Sequence, residues 1–500
     1  MIEQLPVLLV VLPIIGGAVP LVASLVSDRA GWPIATLTLV VQVGLAGLLA
    51  WAVGTGGTVA YEVGGFAAPY GIELVVDGLS GAIALLIAAV SLGVLSYARG
   101  AEPHSNAFYG LYLLLVAGLT GMAVTGDVFN LYVFLEITGL AAYGLVASGR
   151  DASAAVAALK YLIIGTIGAS LYLLGVGYLL AATGTLNMAD LSNKLGQMAA
   201  YDSTLVLTAF GLMVGGLTVK VALFPLHTWQ PDAYANAPDS VSAFISALVS
   251  TVSAYALARL LFSVFTADFL AAVPMARWAL VGLACVSIVA GSVLAVSQSD
   301  VQRMLAYSSV SQFGLVVAGF AIATPLAVVG ATIHLLGHAV MKGGLFAATG
   351  IIERKTGATT LNGYAGMGSR APLSAFAFAV LALAMVGVPP AVGFVGKWYI
   401  VLGAVRAEIW PVVAVLLSST LLTLAYFARL VERLYFAEAT IHAEGEIPRE
   451  APVADGSGQT VSTGMVAVVV IAAVLAVALT AAVPAFEQVL RETLPQLLTQ

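Results

Sequence analysis

Residues 326–352 read LAVVGATIHLLGHAVMKGGLFAATGII, an apolar run interrupted by two histidines and one lysine. It is longer than the about 20 residues of helix that cross a hydrocarbon core. His334, His338 and Lys342 follow one another at i+4 steps, so helical geometry stacks them on one face. A charge at the centre of a membrane helix costs about 2.5 to 3.5 kcal/mol even on the most lenient scale. Such a stripe is therefore read as facing the interior of a bundle of membrane helices.

The rest of the chain repeats this pattern. Of its 500 residues 61% are hydrophobic and only 9% charged, against about a quarter charged in soluble proteins. Hydropathy and loop punctuation give about 14 spans, near 5–27, 32–54, 77–98, 106–125, 128–149, 155–184, 203–224, 239–262, 273–297, 301–322, 326–352, 372–404, 408–435 and 464–485. The class is an all-α polytopic membrane protein. The start, MIEQLPVLLVVLPIIGG, lacks a basic n-region and is read as a first membrane helix, not a cleaved signal. His442 to Gly458 is the longest polar stretch and is expected to be an exposed loop.

Composition also excludes functions. The net charge is −6, with no basic run or aromatic-interleaved patch to grip a phosphate backbone, so nucleic acid is not expected as a partner. Cys285 is the only cysteine, which excludes disulfides, thiolate zinc sites and iron–sulfur ligation from this chain alone. No cofactor or metal is expected, and any redox centre belongs to another subunit.

Orientation is read from lysine and arginine, which accumulate in cytoplasmic loops. Loops after odd-numbered spans carry Arg29, Arg99, Arg150, Arg303, Arg354, Lys355, Arg370, Arg429, Arg433 and Arg449. Loops after even-numbered spans carry Lys194, Arg277 and Arg406, with Arg259 near a span end. Both termini are expected outside, in the plasma membrane of a prokaryote.

Two spans contain a break beside a lysine. In GGLTVKVALFPLHTW (215–229) Pro225 follows Lys220, and in AMVGVPPAVGFVGKWYIV (384–401) Pro389 and Pro390 precede Lys397. Proline removes a backbone donor and interrupts a helix. Paired interruptions in two halves of a transporter point to inverted repeats around a midplane site, whereas an ordinary packing kink is the alternative for either one alone.

Four of the six lysines, Lys160, Lys220, Lys342 and Lys397, lie inside apolar spans. Among the acids only Glu136 sits well inside a span, in NLYVFLEITGLAAYGLVA (130–147), with Asp127 at that helix's mouth. A carboxylate near a desolvated lysine governs whether the lysine keeps its proton, so a Glu136–Lys220 pair suits a relay; a static ion pair fixing helix register is the alternative. For His334 and His338, relay, core packing and a metal site are the three readings; the neighbouring group is a lysine rather than a carboxylate, which disfavours metal. His227 is placed at the mouth of a half-channel or in a packing role, and Lys160 either joins the Glu136 region or snorkels to an interface. Cys285 is a small apolar filler.

Six segments in order resemble the antiporter-like subunits of respiratory complex I, membrane-bound hydrogenases and Mrp-type multisubunit cation/proton antiporters. They are GDVFNLYVFLEITGLAAYGLV (126–146), ALKYLIIGTIGASLYLLG (158–175), VKVALFPLHTWQPDAYANAPDSVSA (219–243), QRMLAYSSVSQFG (302–314), HLLGHAVMKGGLF (334–346) and GVPPAVGFVGKW (387–398). GGFAAPYGIELVVDGLS (64–80) with GDVFNLYVFLE (126–136) is most similar to the D-type subunits of Mrp antiporters and their hydrogenase relatives. The resemblance covers spans three to thirteen. It implies about 14 helices with two inverted five-helix repeats: residues 1–105 as helices 1–3, 106–262 and 263–435 as the repeats, and 436–500 as the polar loop and last helix. It further implies a coupling pair Glu136 and Lys220, an axis continued by His334, His338 and Lys342, and an exit at Lys397. Expected partners are the lipid bilayer, other membrane subunits of a multisubunit antiporter complex, protons and Na+. The chain stops about 15 residues after its last span, so the long lateral helix of the largest family members is not expected.

Two positions depart from the family pattern. In SAFISALVSTVSAYALARL (242–260) the expected eighth-span lysine is Thr251. Ser250, Thr251 and Ser253 hydrogen-bond water but carry no mobile positive charge. Gln230 replaces an expected apolar residue between Trp229 and Pro231.

Overall fold

The computed structural model describes residues 2–101, 104–149, 151–198, 201–437 and 461–493. The loop expected at His442–Gly458, and Arg150 and Arg449 used for orientation, lie outside these. An N-terminal unit holds α1 (Leu5–Ala23), α2 (Gly31–Gly56), a hairpin of β1 (Val59–Glu62) and β2 (Glu73–Val76), and α3 (Gly78–Ala101). Then come α4 (Asn106–Val124), α5 (Val128–Ala147), α6 (Ala152–Thr183), the short α7 (Met188–Met198), α8 (Thr204–Val221), the short α9 (Gln230–Asn236) and α10 (Asp239–Arg259), which runs on into a π turn at Leu260–Val264. Next are the short α11 (Thr266–Ala272), α12 (Pro274–Ser297), α13 (Val301–Ile322), α14 (Pro325–Thr356), the single turn α15 (Met367–Arg370), α16 (Pro372–Val386), α17 (Val392–Arg406), α18 (Trp410–Tyr435) and α19 (Thr463–Thr493).

Thirteen helices among the described residues are long and apolar enough to span a membrane. The remaining expected span, 372–404, is the broken pair α16 and α17, each 15 residues. Both expected interruptions are present. α8 stops at Val221, where Ala222 turns left-handed (φ 66°), and helix resumes only at Gln230 in α9. α16 stops at Val386, and Gly387 takes φ 96°, a conformation that favours glycine.

The burial pattern is inverted relative to a soluble protein. Leu25, Val26, Leu37, Val156, Val293 and Leu421 are exposed, whereas Lys220, Lys342, Lys397, His334 and His338 are buried. In lipid this is the stable arrangement, since the outer face meets hydrocarbon and the polar groups meet one another. α10 sits at the centre: every residue from Ser240 to Ala258 is buried.

The two halves share a construction. Asp127 caps α5 by accepting from the Asn130 amide at 2.7 Å, and Asp300 caps α13 by accepting from the Arg303 amide at 2.8 Å. Each cap residue also forms an isolated antiparallel bridge with the segment just beyond the following helix, Asp127 with Asn187 and Asp300 with Thr360. That following helix, α6 or α14, is 32 residues long in both cases. The next span is then the one that breaks, α8 with the short α9 after it, or α16 with α17. Five crossings, an odd number, separate the start of α4 from the start of α12, so the second set enters from the opposite side of the membrane. These are the two inverted five-helix repeats.

Close backbone approach holds each broken span to its 32-residue partner. A Cβ on Gly216 of α8 would lie 2.4 Å from the Gly168 carbonyl oxygen of α6, and one on Gly330 of α14 would lie 2.8 Å from the Gly396 carbonyl oxygen of α17. Small residues at such crossings are the usual device of membrane helix packing.

Candidate functional site

The first lysine lies one residue from the end of α8. Lys220 Nζ is 3.7 Å from Glu136 Oε1 on α5 and donates to the Tyr143 hydroxyl at 3.0 Å. Glu136 and Tyr143 are seven residues apart on α5, about two helical turns, and so present both oxygens to one side. Lys220 is 4% exposed, so its two partners decide its electrostatics. Room for the phenol is made by glycine: a Cβ on Gly165 would fall 2.0 Å from the Tyr143 hydroxyl, and one on Gly139 would fall 2.9 Å from it. Tyr143 then meets Tyr161 edge-on at 4.5 Å, and Tyr161 stacks on Trp229 at 4.0 Å.

The broken end of α8 leaves carbonyls without helical partners. Trp229 Nε1 donates to the Val219 carbonyl at 2.9 Å, and Ser250 Oγ donates to the Lys220 carbonyl at 3.3 Å. Gln230 is fully buried; its Nε2 donates to Ser250 Oγ at 3.1 Å and to the Tyr234 hydroxyl at 3.2 Å. Thr251 follows Ser250 on α10, fully buried, and its Oγ1 has no hydrogen-bond partner among the described residues. Ser253 turns back to its own helix, donating to the Val249 carbonyl at 2.8 Å.

In the second half the i+4 stripe of α14 faces α13. His334 Nε2 pairs with Gln312 Oε1 at 2.9 Å. His338 packs edge-on against Phe313 at 4.7 Å, and among the described residues neither of its ring nitrogens has a hydrogen-bond partner. Lys342 Nζ donates to the Leu305 carbonyl at 2.6 Å and to Ser308 Oγ. The two imidazole centroids are 6.4 Å apart, and among the described residues no three His, Cys, Asp or Glu side chains converge as metal ligands. Lys397 reaches from α17 to the carbonyls freed at the end of α16, donating to Met385 at 2.7 Å and Val386 at 3.2 Å. The interruption that Pro389 and Pro390 mark thus supplies acceptors for the lysine that follows it.

The other expected positions sort differently. Asp127 is a helix cap, its carboxylate engaged by the Asn130 amide. His227 is 5% exposed between Phe224 and Tyr307, at ring distances of 5.2 and 5.8 Å, and its Nδ1 has no hydrogen-bond partner among the described residues. Lys160 bonds Asp232 of α9 at 2.6 Å, and Arg303 of α13 bonds the other oxygen of the same carboxylate at 2.9 Å. Asp232 stands outside the thirteen spans. Burial raises its pKa, but the two cations outweigh that and hold the carboxyl below its usual range. Arg259 pairs with Asp77 at 2.5 Å at the end of α10, a contact between the N-terminal unit and the repeats that span-end reasoning does not reach. Tyr143, Gln312, Ser308 and Asp232 are not singled out by the sequence. For Tyr143 a signal exists there, an i+7 step from Glu136 with Gly139 and Gly144 beside it.

Residues 125–423 match the model of the family NADH:quinone oxidoreductase/Mrp antiporter, TM. The chain is 46% identical over 442 residues to the N subunit of NADH-quinone oxidoreductase from Desulforudis audaxviator, covering 87% of each. It is 32% identical over 398 residues to the D subunit of the Na(+)/H(+) antiporter from Bacillus subtilis, covering 79% of each. A chain in the structure of the Mrp complex from Dietzia sp. superposes with a TM-score of 0.87 at 26% identity, over 99% of this chain and 97% of that one. The matched segment begins just before the cap of α5, runs through both broken spans and ends on α18, so it contains every buried lysine and histidine described above, and the chain belongs to the NADH:quinone oxidoreductase/Mrp antiporter family of membrane subunits.

Proposed function

We propose that this protein moves protons through a buried line of Glu136, Lys220, His334, His338, Lys342 and Lys397, as the D-type subunit of a Mrp cation/proton antiporter exchanging protons for Na+. The supporting observation is the Lys220 ammonium, enclosed between a carboxylate at 3.7 Å and a phenol at 3.0 Å. A lysine so placed keeps or releases its proton according to which partner it faces. In this reading residues 106–262 and 263–435 each hold one half-channel, His227 lies at the mouth of the first, and both termini face outside the plasma membrane. Its partners are further membrane subunits of the complex.

A second reading, a proton pump powered by redox chemistry on other subunits, is favoured by the 46% identity to an NADH-quinone oxidoreductase N subunit. The two separate on the driving force. Proton flux in vesicles holding the assembled complex is followed with a pH-sensitive dye, with and without Na+ and with and without an electron donor. Flux set off by a Na+ gradient alone supports the antiporter; flux that needs electron transfer and ignores Na+ overturns it in favour of the redox pump.

A further inference from the structure

Between the Lys220 pair and the α14 ladder stands α10, which offers no charged side chain from Ser240 to Ala258. What crosses it is a set of neutral polar groups. From the end of α8 the contacts run from the Lys220 carbonyl to Ser250 Oγ (3.3 Å), to Gln230 Nε2 (3.1 Å) and to the Tyr234 hydroxyl (3.2 Å). Tyr234 meets Phe346 of α14 edge-on at 5.5 Å. Phe346 is the next i+4 step after His334, His338 and Lys342, so the set ends against the ladder's own face. α10 and α14 touch closely at this level: a Cβ on Gly343 would lie 3.2 Å from that of Ala247.

Two oxygens here, Gln230 Oε1 and Thr251 Oγ1 on the residue after Ser250, are buried with no hydrogen-bond partner among the described residues. Leaving such an atom unsatisfied is costly, and buried polar groups of this kind are where proteins hold ordered water. Gln230 thus joins two hydroxyls through its amide nitrogen and turns its oxygen toward a place where water can be held.

We propose that Gln230, Ser250, Tyr234 and Thr251 form an uncharged bridge that carries protons between the Glu136/Lys220 pair and the Lys342 ladder. The inference rests on the relay reading above. The transfer step passes directly between Ser250 Oγ and the Tyr234 hydroxyl, 3.5 Å apart, with water joining them to the ammonium groups at either end; each hydroxyl takes a proton on its oxygen from one side and passes its own to the other, so its atoms are unchanged after a transfer. The Gln230 amide keeps its protons; it is a positioning residue that holds Ser250 and Tyr234 and presents Oε1 to water.

The test measures proton flux in vesicles of the assembled complex for Gln230→Leu, Tyr234→Phe and the double variant Gln230→Leu with Thr251→Lys, beside Lys220→Ala. Gln230→Leu is expected to reduce flux at least tenfold and Tyr234→Phe several-fold. A lysine at 251, the residue after Ser250 on α10, supplies a proton carrier in the same turn of that helix, so the double variant recovers most of the flux, which a purely structural role for Gln230 would not allow. Full flux in Gln230→Leu, with none in Lys220→Ala, overturns the bridge and leaves the relay standing. Full flux in all four overturns the relay itself. Should Gln230→Leu fail to assemble, Tyr234→Phe, which removes one oxygen, decides: unchanged flux overturns the bridge.

Discussion

Lys220 has two partners of different kinds, and the difference defines what Tyr143 does. The carboxylate of Glu136 attracts the ammonium through charge, and the phenol accepts a hydrogen bond without charge. At 3.0 Å the phenol holds Nζ away from full contact with the carboxylate at 3.7 Å. Tyr143→Phe removes that hold while keeping the ring against Tyr161, and is expected to lower proton flux several-fold with assembly intact. Gly165→Ala puts a Cβ where the Tyr143 hydroxyl lies, 2.0 Å away, and is expected to reproduce the Tyr143→Phe phenotype; wild-type flux in both variants would show that the phenol is only a packing group. Charge is legible in the sequence at this level and neutral partners are not. A lysine inside an apolar span is conspicuous at any spacing. A tyrosine or glutamine is ordinary there until its neighbour across the bundle is known, which is why Gln230 carries no consequence in the sequence alone.

Among the elements, α9 is the piece whose position is most exposed to chemistry. It follows the break after α8 and is tied by one carboxylate, Asp232, to Lys160 of the first repeat and Arg303 of the second. These side chains are partly exposed, so each contact is worth at most about 1 kcal/mol. Asp232→Asn is expected to lower the melting temperature of the complex by a few degrees. The folded pKa of Asp232 lies below its unfolded value of about 3.9, so the clamp is fully present above that value and is lost only as pH falls through the depressed folded one. The Asp232→Asn deficit should therefore be the same at pH 7 and pH 5, and a deficit that vanishes at pH 5 would show that the carboxylate is not held in this way. The breaks in spans seven and twelve are legible because proline announces them. The hairpin of β1 and β2 and the short helices α7 and α11 are not, since hydropathy over a span-length window averages short elements away.

Across the molecule, the number of crossings is legible because the bilayer imposes a fixed length on every span. The repeat is legible only as two breaks beside two lysines; its clearest marks, the Asp127–Asn187 and Asp300–Thr360 bridges, depend on chain crossings that no local pattern encodes. What the fold achieves is to bring Glu136 and Lys220 of one half and the ladder of the other up to α10, which has no charged side chain from Ser240 to Ala258. If protons travel this line, Lys220 is indispensable to it. The decisive comparison is proton flux in vesicles holding the assembled complex, wild type against Lys220→Ala. Flux is expected to fall to background while the complex assembles normally; undiminished flux from an assembled Lys220→Ala complex would contradict the relay.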